Sequence, residues 1–295
     1  MTNASQFSWL RAMPIVFVGI WSTGFIVARY GMPNSPPFAF LWLRFAFSIL
    51  CFLPWIWLSK VQWPSDKRQW LHLSITGVLM QAGYLGGVWS AVKGGMGSGL
   101  SALIVGLQPV LTAIWLSSQG GHVTGRQWQG LLLGFAGLSM VVSHKLEGGI
   151  EVTPFSLSMA LMALASITVG TLYQKQFVKP CDVRTASSVQ LMAAWVVTLP
   201  LAMIETEAIQ WNSQMLYAMA WSVLCLTLGG SSLFYLLIQR GAAASVTSLM
   251  YLVPPTTAVI ALVLFGETMT WTTLLGILVT ALGVSLVVRQ PKIED

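Results

Sequence analysis

Charge is what this 295-residue chain has least of. Asp, Glu, Lys and Arg make up 8% of it, where a soluble domain carries about 25%. Hydrophobic residues make up 55%, and the mean hydropathy is +0.73. A water-soluble fold cannot bury that much apolar surface, so a polytopic membrane protein is expected. Acid is the scarcer sign, and no Asp or Glu falls near the centre of an apolar run. The cysteines, Cys51, Cys181 and Cys225, are odd in number and far apart, which argues against a disulfide framework or a thiolate metal site. His72, His122 and His144 are scattered without ligand spacing. These absences predict no metal and no cofactor. The net charge of +6 reflects loop topology in such a chain, not a nucleic-acid partner.

What the chain has instead is apolar runs. A helix needs roughly 20 apolar residues to cross the bilayer core. Ten runs qualify, at about 12–30, 36–58, 69–91, 97–118, 126–143, 154–173, 184–203, 214–238, 243–265 and 271–288. The first is read as a span and not a cleaved signal, because no small-x-small site ends it. The loops between runs are short, with Pro33 to Pro37, Gly94 to Gly99 and Gly148–Gly149 marking tight connections.

The runs repeat. Adding 146 to Gly24, Pro54, Gly83, Pro109, Gly130 and Gly137 gives Gly170, Pro200, Gly229, Pro255, Gly276 and Gly283. Gly120 and Thr124 likewise become Gly266 and Thr270. Residues 1–143 and 147–295 therefore read as two five-helix units. An odd number of spans per unit sets the copies in opposite orientations, as in transporters whose site lies between two halves. The expected fold class is an all-α integral membrane protein, ten transmembrane helices arranged as two inverted five-helix repeats.

Orientation follows from the cations. Arg11, Lys60, Lys67, Arg68, Arg126, Lys175, Lys179, Arg184, Arg240, Arg289 and Lys292 share one side. Arg29, Lys93 and Lys145 occupy the other. The positive-inside rule places both termini in the cytoplasm, and Glu147, Glu151, Glu205 and Glu207 in solvated loops outside.

Arg44 is the one charge well inside a run, and its repeat mate is the uncharged Gln190. An intramembrane charge costs about 2.5–3.5 kcal/mol on insertion scales, which makes it a functional candidate. One reading is a cation that draws a substrate carboxylate into a cavity. The other is an Arg that snorkels or ties backbone carbonyls together. Pro109 and the pair Pro254–Pro255 fall near the centres of helices 4 and 9, where each proline frees the carbonyl four residues earlier, those of Val105, Met250 and Tyr251. A kink that shapes the cavity is expected, with direct ligation a weaker alternative. Polar and aromatic residues cluster at mid-height: Trp21, Ser22 and Thr23 on helix 1, Gln81 and Tyr84 on helix 3, and Gln108 on helix 4. Ser166 and Thr168 join them from helix 6, Thr227 and Ser231 from helix 8, and Tyr251 from helix 9. Helices 1, 3, 4, 6, 8 and 9 are expected to surround the cavity, and 5 and 10 to pack outside. For any single Ser or Thr the competing reading is a bond to its own helix. Gly130 with Gly134, and Gly83 with Gly87, are helix-packing spacings. Gly97 and Gly99 follow a helix and not a strand, so they are no dinucleotide site. Glu267 suits the first turn of helix 10, with Gly121 as its unmatched mate.

Several of these marks resemble the EamA family of the drug/metabolite transporter superfamily. They are Trp21 to Phe25 with Leu41 to Phe45; the small-residue stretches Ser98 to Ala102 and Ala242 to Val246, which lead to Pro109 and Pro255; and Gly266–Glu267 with Thr270, Gly276 and Gly283. Gly120, Gly121 and His122 depart from the pattern by lacking the acid. The resemblance implies a ten-helix inverted-repeat transporter, usually an exporter of small metabolites such as amino acids. The residues then suggest alternating access about a mid-membrane site in a bacterial inner membrane. Arg44 would hold a carboxylate, the Gln and Tyr side chains would orient it, and Trp21 would form an apolar wall. Trp21, Tyr84 and Tyr251 favour an aromatic or planar substrate. Without a central Asp or Glu, transport is expected to be facilitative and the chain a monomer. The alternatives are efflux of a drug, quaternary amine or nucleobase, a sensor without transport, and an intramembrane lipid-modifying enzyme. The isolated acids speak against the last.

Overall fold

A computed structural model of the chain describes residues 3–118, 125–147, 152–239, 252–266 and 269–288. Among them the regular structure is entirely helical. The elements are α1 (Asn3–Gly31), α2 (Pro37–Leu58), α3 (Lys67–Gly77), α4 (Tyr84–Lys93), α5 (Ser98–Val105) and α6 (Gln108–Ser118). They continue with α7 (Gly125–Glu147), α8 (Pro154–Phe177), α9 (Val183–Ile204), α10 (Ser213–Trp221), α11 (Ser232–Gln239), α12 (Val253–Phe265) and α13 (Trp271–Val288). Among the described residues, five stretches are long and apolar enough to cross a membrane: Ile15–Asn34, Pro37–Leu58, Pro154–Phe177, Val183–Ile204 and Ser213–Leu237. Shorter apolar helices cover Ser98–Thr112, Val253–Phe265 and Trp271–Gly283.

The helix ends carry the 146-residue spacing more sharply than the sequence runs do. Both ends of α2 (37 and 58) reproduce in α9 (183 and 204), and the starts of α3 and α7 reproduce in α10 and α13. Local chemistry explains two of these starts. Asp66 caps α3 by accepting from the Arg68 N–H at 2.9 Å, and its mate Asn212 caps α10 by accepting from the Met215 N–H at 2.8 Å. Short polar side chains at this position satisfy amides that the first turn leaves without partners.

Two features were not foreseen as such. Between α3 and α4, residues Val78–Gly83 wind as a π-helix, and so do Ser222–Ser231 between α10 and α11. The wider turn re-aims side chains across a helix that otherwise runs straight on. Helix 4 is broken, where a kink was expected. α5 ends at Val105, Gly106 and Leu107 form a turn, and Pro109 becomes the second residue of α6. Proline fits there because a first-turn amide has no helical partner to lose. Pro254 and Pro255 likewise open α12, and a Cβ at Gly106 would collide with the Pro254 ring. The break in helix 4 thus packs against the proline-marked start of α12.

Close packing repeats with the same offset. Gly24 lies against Leu226, and its mate Gly170 against Met80, the mate of Leu226. Gly83 faces Ser166, and Gly229 faces Ile20, the mate of Ser166. A Cβ at Gly137 would meet the Gly276 carbonyl, and one at Gly283 would meet the Gly130 carbonyl. Such exchanged pairs are what a two-fold relation between the halves produces. Where lipid competes with protein for apolar surface, close backbone approach through small residues is a main source of helix cohesion.

Candidate substrate cavity

A narrow cavity opens where α1, α2, α8, α9 and the two π-containing helices converge. It is lined by Trp21, Gly24 and Phe25 from α1, Arg44 from α2, and Gln174 and Gln190 from α8 and α9. Met80, Gln81, Tyr84, Leu85, Val88 and Trp89 come from the α3–α4 helix, and Leu226, Ser231, Phe234 and Tyr235 from the α10–α11 helix. Five pairs of repeat mates are among its lining: Arg44 and Gln190, Met80 and Leu226, Leu85 and Ser231, Val88 and Phe234, Trp89 and Tyr235. The volume open to the centre of a water-sized sphere is about 40 Å³. That suffices for a few waters.

Arg44 is 2% exposed. Its Nε–H donates to Thr227 Oγ1 at 3.0 Å, and its guanidinium carbon lies 5.9 Å from the Trp89 ring centroid. Thr227 can accept because its own O–H is spent on the Ser222 carbonyl, five residues back along the π-helical stretch. Among the described residues no carboxylate pairs with Arg44. A charge held this deep by one hydroxyl and one ring keeps donors free for a further anion.

Trp21 anchors the aromatic wall. Its ring is parallel to Tyr84 within 3° at 6.1 Å and stacks on Phe234 at 5.1 Å. Two of the lining amides meet each other. Gln190 Nε2 reaches Gln174 Oε1 at 3.5 Å, while Gln174 Nε2 is buried with no partner.

Trp21, Arg44, Gln81, Tyr84 and Ser231 are therefore brought together, with Thr227 behind Arg44. Thr23, Gln108 and Thr168 are not in this lining. Thr23 turns back to the Ile20 carbonyl and accepts from Trp221 Nε1 on the outer side of the bundle. Thr168 bonds to the Leu164 carbonyl on its own helix. Gln108 is held by Thr171 at 3.0 Å, because the break at Gly106 and Leu107 brings it against α8. Helix 4 contributes no lining residue, and neither do Pro109 and Pro254. Helices 2 and 7 supply Arg44 and Gln190 instead. Pro255 is not in the lining either, and Tyr251, Glu267 and the carbonyl of Met250 lie outside the described residues. Gln174, Gln190, Phe234 and Tyr235 were missed as candidates. The repeat could have exposed Gln174, whose mate Ala28 is another place where symmetry was given up.

At one end of the bundle the two halves are tied together. The Glu205 carboxylate accepts from the Phe38 and Ala39 N–H groups at 3.0 and 2.8 Å, capping α2 from the other half. Lys93 pairs with Glu207 at 2.7 Å, and Asn212 donates to Asn34 at 2.7 Å. The expectation that Glu205 is merely solvated is corrected: the first turn of α2 has no other acceptor for those amides.

A bundle of apolar helices around a buried, largely apolar cavity that holds a cation and several amides fits a multi-pass membrane transporter. The comparisons agree. The chain belongs to the EamA-like transporter family, which matches residues 12–143 and again 154–289. It is 25% identical to the uncharacterized inner membrane transporter YedA of Escherichia coli over 252 residues, 85% of this chain and 81% of that one. It is 26% identical to the uncharacterized transporter YvbV of Bacillus subtilis, covering 96% and 93%. A probable amino-acid metabolite efflux pump of Salmonella typhimurium is 23% identical, covering 92% of each. One crystal structure matches the fold with a TM-score of 0.69 at 17% identity, covering 93% of this chain and 95% of that one.

Proposed function

We propose that the chain exports small carboxylated metabolites, amino acids or related compounds with a planar or aromatic part. The observation that carries this reading is Arg44, buried on the cavity wall without a carboxylate partner among the described residues. The aromatic stack on Trp21 supports a planar side group. The name of the Salmonella relative supports the amino-acid class, and that of YedA an inner membrane.

In this reading residues 1–143 and 147–295 form inverted five-helix repeats, ten spans in all, with both termini cytoplasmic and the chain a monomer. The exchanged glycine contacts and repeated helix ends support the two-fold relation, and the Lys and Arg distribution supports the inversion. Glu205, Glu207 and Asn212 would then close the extracytoplasmic side. Transport by alternating access needs that end to part while the cavity widens. With no Asp or Glu in any apolar run, the proton relays of coupled transporters have no obvious seat, so movement is down the gradient.

The test is counterflow of labelled carboxylated metabolites in proteoliposomes. Arg44→Gln is expected to cut it by about tenfold or more, consistent with the loss of charged hydrogen bonds, while the yield of folded protein holds. Equal loss of folding and transport would make Arg44 structural. Proton movement driven by substrate would overturn the facilitative part.

A further inference from the structure

The charge inventory of the cavity narrows the substrate further, resting on the exporter reading above. We infer that the site selects organic monoanions, carboxylates without an ammonium group, over amino acids of the same side chain.

Arg44 brings one positive charge to the cavity. The acids of the whole chain are Asp66, Glu147, Glu151, Asp182, Glu205, Glu207, Glu267, Glu294 and Asp295, and each lies outside the ten apolar runs. A bound carboxylate therefore neutralises the site. A zwitterion supplies the same carboxylate but also buries an ammonium that meets no anion, and the site keeps its net charge. Removing an unpaired ammonium from water is costly.

Among the described residues the other groups that could hold an ammonium are already engaged or lie off the cavity. The Trp89 ring is occupied by the Arg44 guanidinium. Trp21 is stacked against Tyr84 and Phe234, which cover its ring. The carbonyls near the break at Gly106 and Leu107 do not line the cavity.

What the cavity does offer is donors. Gln174 is 3% exposed, lines the cavity, and has an Nε2 with no partner. An ammonium has three donors and no acceptor, so it cannot answer that N–H. A keto, hydroxyl or ring-nitrogen acceptor can. Arg44 and Gln190 occupy the same position in α2 and α9 and both line the cavity, one a cation and its repeat mate a neutral amide. The lining suits a molecule that carries a carboxylate, a planar group and a neutral acceptor.

The experiment uses the purified full chain and three probes that share a phenyl ring: 3-phenylpropionate, phenylalanine and phenethylamine. Binding is read by thermal stabilisation and transport by counterflow in proteoliposomes. The expected result is 3-phenylpropionate favoured over phenylalanine by at least about tenfold, with phenethylamine inert. Arg44→Gln should abolish the preference. Gln190→Glu, which adds an acid to the cavity and does not depend on the folding of the Arg44 variant, should move the preference toward phenylalanine. Phenylalanine equal or better in the wild-type protein overturns the inference and leaves the exporter reading standing, as does an unchanged ratio in Gln190→Glu. If no phenyl, indolyl or aliphatic carboxylate is bound or moved, both fall.

Discussion

The α7–α13 interface and the cavity wall are made from the same repeat and treat it in opposite ways. At the interface Gly130 and Gly137 face Gly283 and Gly276, so each contact is matched by its exchanged copy. At the cavity Arg44 has the uncharged Gln190 for a mate, and Tyr84 has Gly230, placed beside Ile20 and Trp21. Backbone approach can be satisfied twice by one solution, because both copies need only the absence of a side chain. Binding an asymmetric molecule cannot. Two guanidinium groups would repel each other in a dry cavity, and two tyrosines would compete for the space beside Trp21.

Five substitutions, in three groups, test that contrast and its limits. The largest effect is expected at the interface. Gly283→Leu places side-chain atoms on the Gly134 and Gly130 backbone and should cost about 3 kcal/mol or more. Gly137→Leu, which meets the Gly276 and Thr280 backbone, should cost about as much again. Detergent-solubilised unfolding curves would show it, and an unperturbed midpoint in either variant would break the symmetry argument.

A smaller effect separates the two acids at the tied end. Glu205→Gln removes a carboxylate cap from Phe38 and Ala39 and should cost about 1 kcal/mol. Glu207→Gln breaks only the half-exposed pair with Lys93, worth no more than about 0.5–1 kcal/mol. A Glu207 variant less stable than the Glu205 variant would reverse the assignment of the tie.

The smallest effect is in acid. Asp182 caps α9, and its hydrogen bonds from Arg184 hold its carboxyl below the usual carboxylate range. A lowered folded-state pKa contributes stability that is present above the ordinary carboxylate pKa and is lost as pH falls through the lowered value. The group is partly exposed, so solvent screens the pair and the contribution is small. Asp182→Asn should flatten the acid limb of a stability-against-pH curve slightly and leave neutral pH nearly unchanged. A large change at neutral pH would show a role beyond capping.

Much of the site was legible because it sits where the repeat fails. Arg44 and Tyr84 stand out in one dimension as a charge and a ring without equals 146 residues on. Thr23, Thr168 and Gln108 were read into the site on height alone. Height does not fix where a hydroxyl or amide points: the carbonyl one turn back, or a neighbour such as Thr171, takes the bond first. Gln190 stood out only as the uncharged mate of Arg44, and Gln174 only by its mismatch with Ala28; what either amide meets is fixed by neighbours that the chain alone does not show.

The sequence by itself determined the membrane class, the two-fold repeat with its offset and the scarcity of acid, because composition and spacing are properties of the chain alone. Tertiary structure alone decided that helix 4 breaks at Gly106, that paired π-helical turns shape the cavity wall, and that Gln174 carries an N–H without a partner. Each of these depends on which backbone or side chain arrives from the other half, and that is settled only when the helices pack.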